Sequence, residues 1–94
     1  MEKVYEFENF EWDDDKQAIT KSLRNLDFAD SWIIFSDENA ITFQSDRDNE
    51  IRFKTIGKLE EKLIAVIHTQ RENNARIISM RRAHKDEEEA YYDN

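Results

Sequence analysis

Arg76, Arg81 and Arg82 lie on and just beyond one apolar stretch, "RIISMRR", and His68 and Arg71 end the stretch before it, "KLIAVIHTQR". A guanidinium grips a phosphate through two parallel N–H donors, and several together can stabilise the charge that builds on phosphorus during attack. An imidazole, with an ordinary pKa near ~6.5, can move a proton to or from a ribose 2'-hydroxyl or a leaving oxygen. Gathered in one place, these groups would suit metal-free cleavage of an RNA phosphodiester. Each has a plainer explanation as well. Strand-end arginines are commonly solvated or paired with acids, and a strand-end histidine is commonly a hydrogen-bonded structural residue.

Side chains on a strand alternate between faces. Ile77, Ser79 and Arg81 are therefore expected on one face, and Arg76, Ile78 and Met80 on the other. In the preceding stretch Ile64, Val66 and His68 share a face, opposite Ala65, Ile67 and Thr69. An open sheet face is expected to gather Arg52, His68, Arg81 and one of Arg76 or Arg82, the register deciding which.

Other chemistries find less support. "WDDDK" and "DEEE" supply carboxylates, but consecutive acids point in different directions on a helix and rarely converge on one ion, so neither a metal nor another cofactor is expected. The chain has no Gly-rich phosphate loop and no cysteine, which removes disulfides and thiolate metal sites and makes an intracellular location the simplest reading. "MEKVYEFENF" has no continuous apolar run, so neither a signal peptide nor a membrane span is expected, and the cytoplasm is the expected compartment.

The formal net charge of -8 conceals an asymmetry. Residues 1–50 hold 14 acidic and 5 basic side chains, whereas residues 51–94 hold 8 and 9. From Lys62 to Lys85 the only acid is Glu72. Recognition follows the local field rather than the total, so a basic patch on an acidic body remains compatible with nucleic acid.

The elements that must position these groups follow from periodicity. With 94 residues the chain fits a single domain, 1–94, and its 6 Phe and 2 Trp carry more apolar payload than a disordered acidic chain would. Val4 to Phe10 predicts a first strand. "WDDDKQAITKSL" predicts a helix with acids at its positive end and Trp12, Ile19 and Leu23 on one face. Asp27 is the expected N-cap of a second helix carrying an aromatic core stripe of Phe28, Trp32 and Phe35. From Ala40 the period changes to two. "AITFQ", "EIRFKTIG", "KLIAVIHTQ" and "RIISMRR" predict four antiparallel strands in a meander, with Gly57 ending one of them where a positive φ is wanted. His84 to Tyr92 predicts a terminal helix, separate from the arginines, facing solvent or a basic partner. The fold class is α+β in the order β-α-α-β-β-β-β-α.

The ordered set "FEWDDDK", "LDFADS", "IRFKTIG", "VIHTQR", "RIISMRRA" and "EEEAYY" resembles the BrnT toxin family, the ribonuclease half of a bacterial type II toxin-antitoxin pair. The residues carrying it are Phe10, Glu11, Trp12, Asp13 and Lys16; His68, Thr69 and Arg71; Arg76 to Ser79 and Arg81; Glu87 and Tyr91. The resemblance implies a RelE-like fold, a small antiparallel sheet flanked by helices, and metal-independent mRNA cleavage that inhibits translation. It implies a BrnA-like ribbon-helix-helix antitoxin as partner, with operator DNA bound only through the complex. On this view His68, Arg76 and Arg81 are catalytic, and Arg52, Arg71 and Arg82 bind RNA. Leu23, Arg24 and Asn25 stand where relatives usually have Lys-His-Gly, and a weak or inactive partner module that holds the antitoxin is the alternative.

Overall fold

The structure, a computed structural model of the chain, describes residues 9–47 and 49–93, with the backbone alone at 46 and 47. Its elements are β1 (Asn9–Trp12), α1 (Asp14–Arg24), α2 (Ser31–Phe35), β2 (Ile41–Arg47), β3 (Glu50–Leu59), β4 (Lys62–Arg71), β5 (Asn74–Arg82) and α3 (Lys85–Tyr92). The class and order are those expected. Val4 to Glu8, the greater part of the predicted first strand, lie outside the described residues.

The strands form one sheet in the order β1-β5-β4-β3-β2. β2 to β5 are the predicted antiparallel meander, whereas β1 adds to the edge of β5 in parallel, which makes the sheet mixed. Trp12 is the last residue of that strand and not the first of the helix. It pairs with Ile77 and packs edge-on against Phe28, with ring centroids 6.3 Å apart.

α1 starts at Asp13, whose carboxylate accepts the N–H of Asp15 at 3.0 Å, and Asp14 and Asp15 occupy its first turn, where the helix dipole favours anions. It stops at Asn25, which takes the left-handed conformation at φ 57° and ψ 39°. Asn tolerates that region better than most residues, so it supplies the turn that glycine often makes. The predicted apolar face of α1 does not pack inward: Ile19 is 58% and Leu23 78% exposed, and Thr20 is the residue it buries.

Asp27 caps as expected, its carboxylate accepting the N–H of Ala29 at 2.9 Å, but it caps a 3-10 turn, Phe28–Asp30, that leads into α2. The change of pitch at Ser31 breaks the aromatic stripe. Phe28 and Phe35 are buried and Trp32 is 57% exposed. Phe28, Ile34 and Phe35 pack on one sheet face with Ile64, Val66, Ile77 and Met80. α3 covers one end of the other face, where Tyr91 joins Ile56, Leu63 and Ala65. The Tyr91 hydroxyl donates to Asp37 at 2.6 Å, and Asp37 also accepts the N–H of Lys58 at 2.8 Å, so one carboxylate ties α3 to the end of β3.

Gly57 is inside β3, not at its end, and its φ is not positive. It is required by proximity: an added Cβ would stand 2.6 Å from the Ile34 carbonyl oxygen and 2.9 Å from its side chain. Gly57→Ala must push α2 off the sheet, and equilibrium urea unfolding is expected to show a loss of about 1–3 kcal/mol. An unchanged midpoint would refute this reading of the contact.

Candidate nucleic-acid interface

The faces of β5 are set by an irregularity. Ile67 pairs with Ser79 but His68 pairs with Ile77, so Ile78 is an extra residue in the strand, a β-bulge. The bulge reverses the phase of alternation halfway along. Ala75 and Ile77 point into the helix-covered core, and after the bulge Met80 does so. Arg76, Ser79 and Arg81 consequently share the opposite, more open face with Thr69, Ile67 and Ala65, their partners on β4. Strict alternation would have separated Arg76 from Arg81.

The same face carries Arg52 and Lys54 from β3 and Arg71 from the end of β4, and two clefts open on it. The larger, about 380 Å³, is lined by Lys16, Glu50, Arg52, Thr69, Gln70, Arg71, Arg76 and Ile78. The smaller, about 320 Å³, is lined by Phe43, Ser45, Arg52, Phe53, Lys54, Ile67 and Arg81. Arg52 is the wall they share. Lys16 and Lys54 are cations that strand-end reasoning missed, although Lys16 follows directly on the acidic run "DDD" and Lys54 alternates with Arg52 in "IRFKTIG".

Of Arg76 and Arg82, the alternatives for one place on this face, the register admits Arg76, and one expected member, His68, is elsewhere. Arg82 pairs with Ile64 and so belongs to the face opposite Arg81. His68 pairs with Phe53 and Ile77, on the core face, and is 2% exposed. The expectation that the open face gathers His68 with Arg52 and Arg81 is therefore corrected, because residues 68 and 69 of β4 point to opposite sides and it is Thr69 that faces Arg76.

His68 has a structural setting. Its Nε2 lies 2.8 Å from the Thr55 hydroxyl, which is 2.9 Å from that of Thr42, a relay across three strands. Phe35 meets the imidazole edge-on at 4.8 Å and Phe53 stacks on it at 5.6 Å. Burial penalises the imidazolium and lowers the pKa from 6.5 to about 4. The sign follows directly. The unfolded chain protonates at His68 below its ordinary value while the folded one does not, so this contribution is intact above about pH 6.5 and is lost as the pH falls toward 4. At ~1.36 kcal/mol per pKa unit, the fold should be about 2 kcal/mol less stable at pH 5 than at pH 7 on this account. Urea titrations should show that slope in the wild type and its absence in His68→Gln; equal slopes would refute it.

Each arginine on the open face already meets a carboxylate. Glu11, opposite Arg76 on β1, lies 3.3 Å from Arg76 and 3.6 Å from Arg71, and accepts Asn74 at 2.9 Å. The Asn74 amide, ahead of the two guanidiniums, holds the Glu11 carboxyl below its usual range. Glu50 lies 3.5 Å from Arg52. Glu87, 3% exposed, takes both oxygens to Arg81 at 2.8 and 2.9 Å, accepts Lys54 at 2.6 Å and closes the N-terminus of α3 by accepting the His84 N–H at 2.7 Å. The Arg81 hydrogen bonds, more than burial opposes them, hold this carboxyl far below the ordinary carboxylate range, and Glu87 in turn raises the Arg81 pKa. The acidic terminal helix is thus no separate element: its buried carboxylate is the partner of the arginine strand.

Arg24, the last residue of α1, reaches the sheet. Beyond the last β1 pair at Ile77, the C-terminal end of α1 meets β5, and Arg24 Nη1 donates to the Met80 carbonyl at 2.9 Å and lies 3.4 Å from Ser79 Oγ. Among the described residues no three His, Asp or Glu side chains converge as metal ligands do, and no helix is long and apolar enough to cross a membrane.

The face as a whole can bind a polyanion at several points and neutralise charge on a phosphate, with the carboxylates as exchangeable counter-ions. No curated protein matches the chain. One family model does, over residues 12–87, from the end of β1 to the buried carboxylate of α3, and it describes a "Ribonuclease toxin, BrnT, of type II toxin-antitoxin system". The chain belongs to the BrnT family of ribonuclease toxins of type II toxin-antitoxin systems.

Proposed function

We propose that the chain is a metal-independent endoribonuclease that cuts mRNA in the cytoplasm on the open sheet face. The observation that carries this reading is the bulge at Ile78, which brings Arg76 and Arg81 to the face that also holds Arg52, Arg71 and Lys54. In this reading Arg76 and Arg81 bind the scissile phosphate and stabilise the charge of the pentavalent state, and Arg52 and Arg71 hold the flanking backbone. RNA supplies its own nucleophile: the 2'-oxygen bonds to phosphorus as the bond to the 5'-oxygen breaks, giving a 2',3'-cyclic phosphate, and the 2'-hydroxyl proton passes through solvent to the leaving 5'-oxygen. Guanidiniums can provide the charge neutralisation that a divalent ion provides elsewhere. His68 acts by fixing β3 against β4 rather than by carrying a proton, and Arg82 contributes to the general field.

The partner in this reading is a BrnA-like ribbon-helix-helix antitoxin that neutralises the toxin and, in complex with it, binds operator DNA. Support for a protein partner comes from Ile19 and Leu23 on α1 and Trp32 on α2, three large apolar side chains left exposed.

The decisive experiment is RNA cleavage by the full chain in EDTA, wild type beside Arg76→Ala. Cleavage in EDTA that Arg76→Ala slows by about 10²-fold or more supports the proposal. Cleavage that needs added metal, or that Arg76→Ala slows by less, defeats it. The internal pairing of the arginines with Glu11, Glu50 and Glu87, and the anchoring of Arg24 to Met80, favour one other reading: a catalytically weak partner module that serves the antitoxin complex. That reading stands if the wild type binds RNA or antitoxin and does not cut.

A further inference from the structure

We propose that the smaller cleft is a nucleobase subsite, in which the ring of Phe43 stacks a base of the RNA while Arg52 and Lys54 hold the adjoining phosphate. The proposal rests on the nuclease reading above. Phe43 is on the edge strand β2, directly across from Lys54, with its side chain toward the open face. It is 43% exposed, so its ring returns only part of the free energy that a packed phenylalanine contributes to a core and keeps surface open to a ligand. It also stands beside cations: Lys54 Nζ lies 5.6 Å from the ring centroid and Arg52 lines the same cleft.

An accessible aromatic face with cations beside it is the combination by which proteins hold single-stranded nucleic acid, since every base has a π-face and every nucleotide a phosphate. The cleft, about 320 Å³, lies at the lower end of the range of ~300–1,000 Å³ for small-ligand pockets, a size for one nucleotide rather than a folded RNA element. Arg52 lines both clefts. A strand with one phosphate between Arg52 and Arg76 therefore places its neighbouring nucleotide over Phe43. Binding here would be tolerant of base identity, because stacking uses the π-face that every base presents.

The test uses the full chain and a short RNA carrying 2'-O-methyl groups at every ribose, which cannot be cut, together with copies bearing one abasic position moved along the strand. Fluorescence anisotropy should show Phe43→Ala binding the intact RNA roughly tenfold more weakly than wild type, the scale of one lost base–aromatic stack. Phe43→Tyr should bind as wild type does. One abasic position should reproduce the loss in wild type and add nothing further in Phe43→Ala. Equal binding by Phe43→Ala, or abasic copies that bind wild type as tightly as intact RNA, would overturn the subsite and leave the nuclease reading untouched. If the wild type binds none of these RNAs, both fall together. Should Phe43→Ala fail to fold, Phe43→Tyr and the abasic series decide.

Discussion

Glu87→Ala is expected to lower the unfolding free energy by about 3 kcal/mol, the lower end of the ~3–5 kcal/mol typical when one partner of a buried ion pair is removed. The lower end applies because Arg81 and Lys54 are 24% and 33% exposed and regain some water once the carboxylate is gone. Three contacts disappear together: the bidentate pair with Arg81, the bond from Lys54 and the acceptor for the His84 N–H at the start of α3. Loss of the last alone is worth about 1 kcal/mol. Glu87→Gln, which keeps the shape and an oxygen acceptor, should cost less than Glu87→Ala. The pH dependence has a definite sign. Because the folded carboxyl is held below its ordinary value of 4.5, its contribution is present above that value and is lost as the pH falls below it. This window lies largely below the one in which His68 acts, between 6.5 and about 4, and meets it only near pH 4–4.5, so the two are separable by titrating His68→Gln and Glu87→Gln side by side. A cost below about 1 kcal/mol for Glu87→Ala would mean that the cluster behaves as an exposed surface pair.

Arg76→Ala and Arg81→Ala should each slow RNA cleavage by about 10²–10³-fold, the usual cost of losing one donor to a developing oxyanion. They should differ in stability. Arg76 is half-buried, and Glu11, its partner, keeps Asn74 and Arg71 when Arg76 is removed, so Arg76→Ala should unfold within about 1 kcal/mol of wild type. Arg81→Ala leaves the buried Glu87 with only Lys54 and the His84 N–H and should be destabilised on the scale of Glu87→Ala. Single-turnover cleavage rates measured beside urea midpoints separate the two effects. If Arg76→Ala cuts normally while Arg81→Ala fails in proportion to its lost stability, the arginines are structural and the catalytic assignment is lost. Charge on the arginines also bears on affinity. Guanidiniums that neutralise RNA phosphates release the counter-ions condensed on the strand, so RNA binding should weaken as salt rises.

Much of this molecule is set by local rules, which act within a few residues. The carboxylates in the first turn of α1, Asp27 as a cap, the change to a period of two at Ala40 and the terminal helix all rest on short-range hydrogen bonds and side-chain spacing, and each is present in the structure. The basic character of the second half was equally plain. What local spacing could not supply was the phase of β5. Its apolar core residues, Ala75, Ile77 and Met80, step by two and then by three, and the adjacent pair Ile77–Ile78 hides the change because either isoleucine fits the core. Only pairing with β4 shows that Ile78 is the extra residue, and that one bulge puts Arg76 on the same face as Arg81, opposite His68. The same holds for the carboxylates. Glu11 reaches Arg76 because β1 runs parallel to β5, and Glu87 reaches Arg81 because α3 folds back over the sheet. The sequence by itself therefore determined the elements, their order and the supply of charge, all short-range properties. The tertiary structure decided which charges meet, because strand register and the return of a helix are long-range and a shift of one residue moves a side chain to the other face.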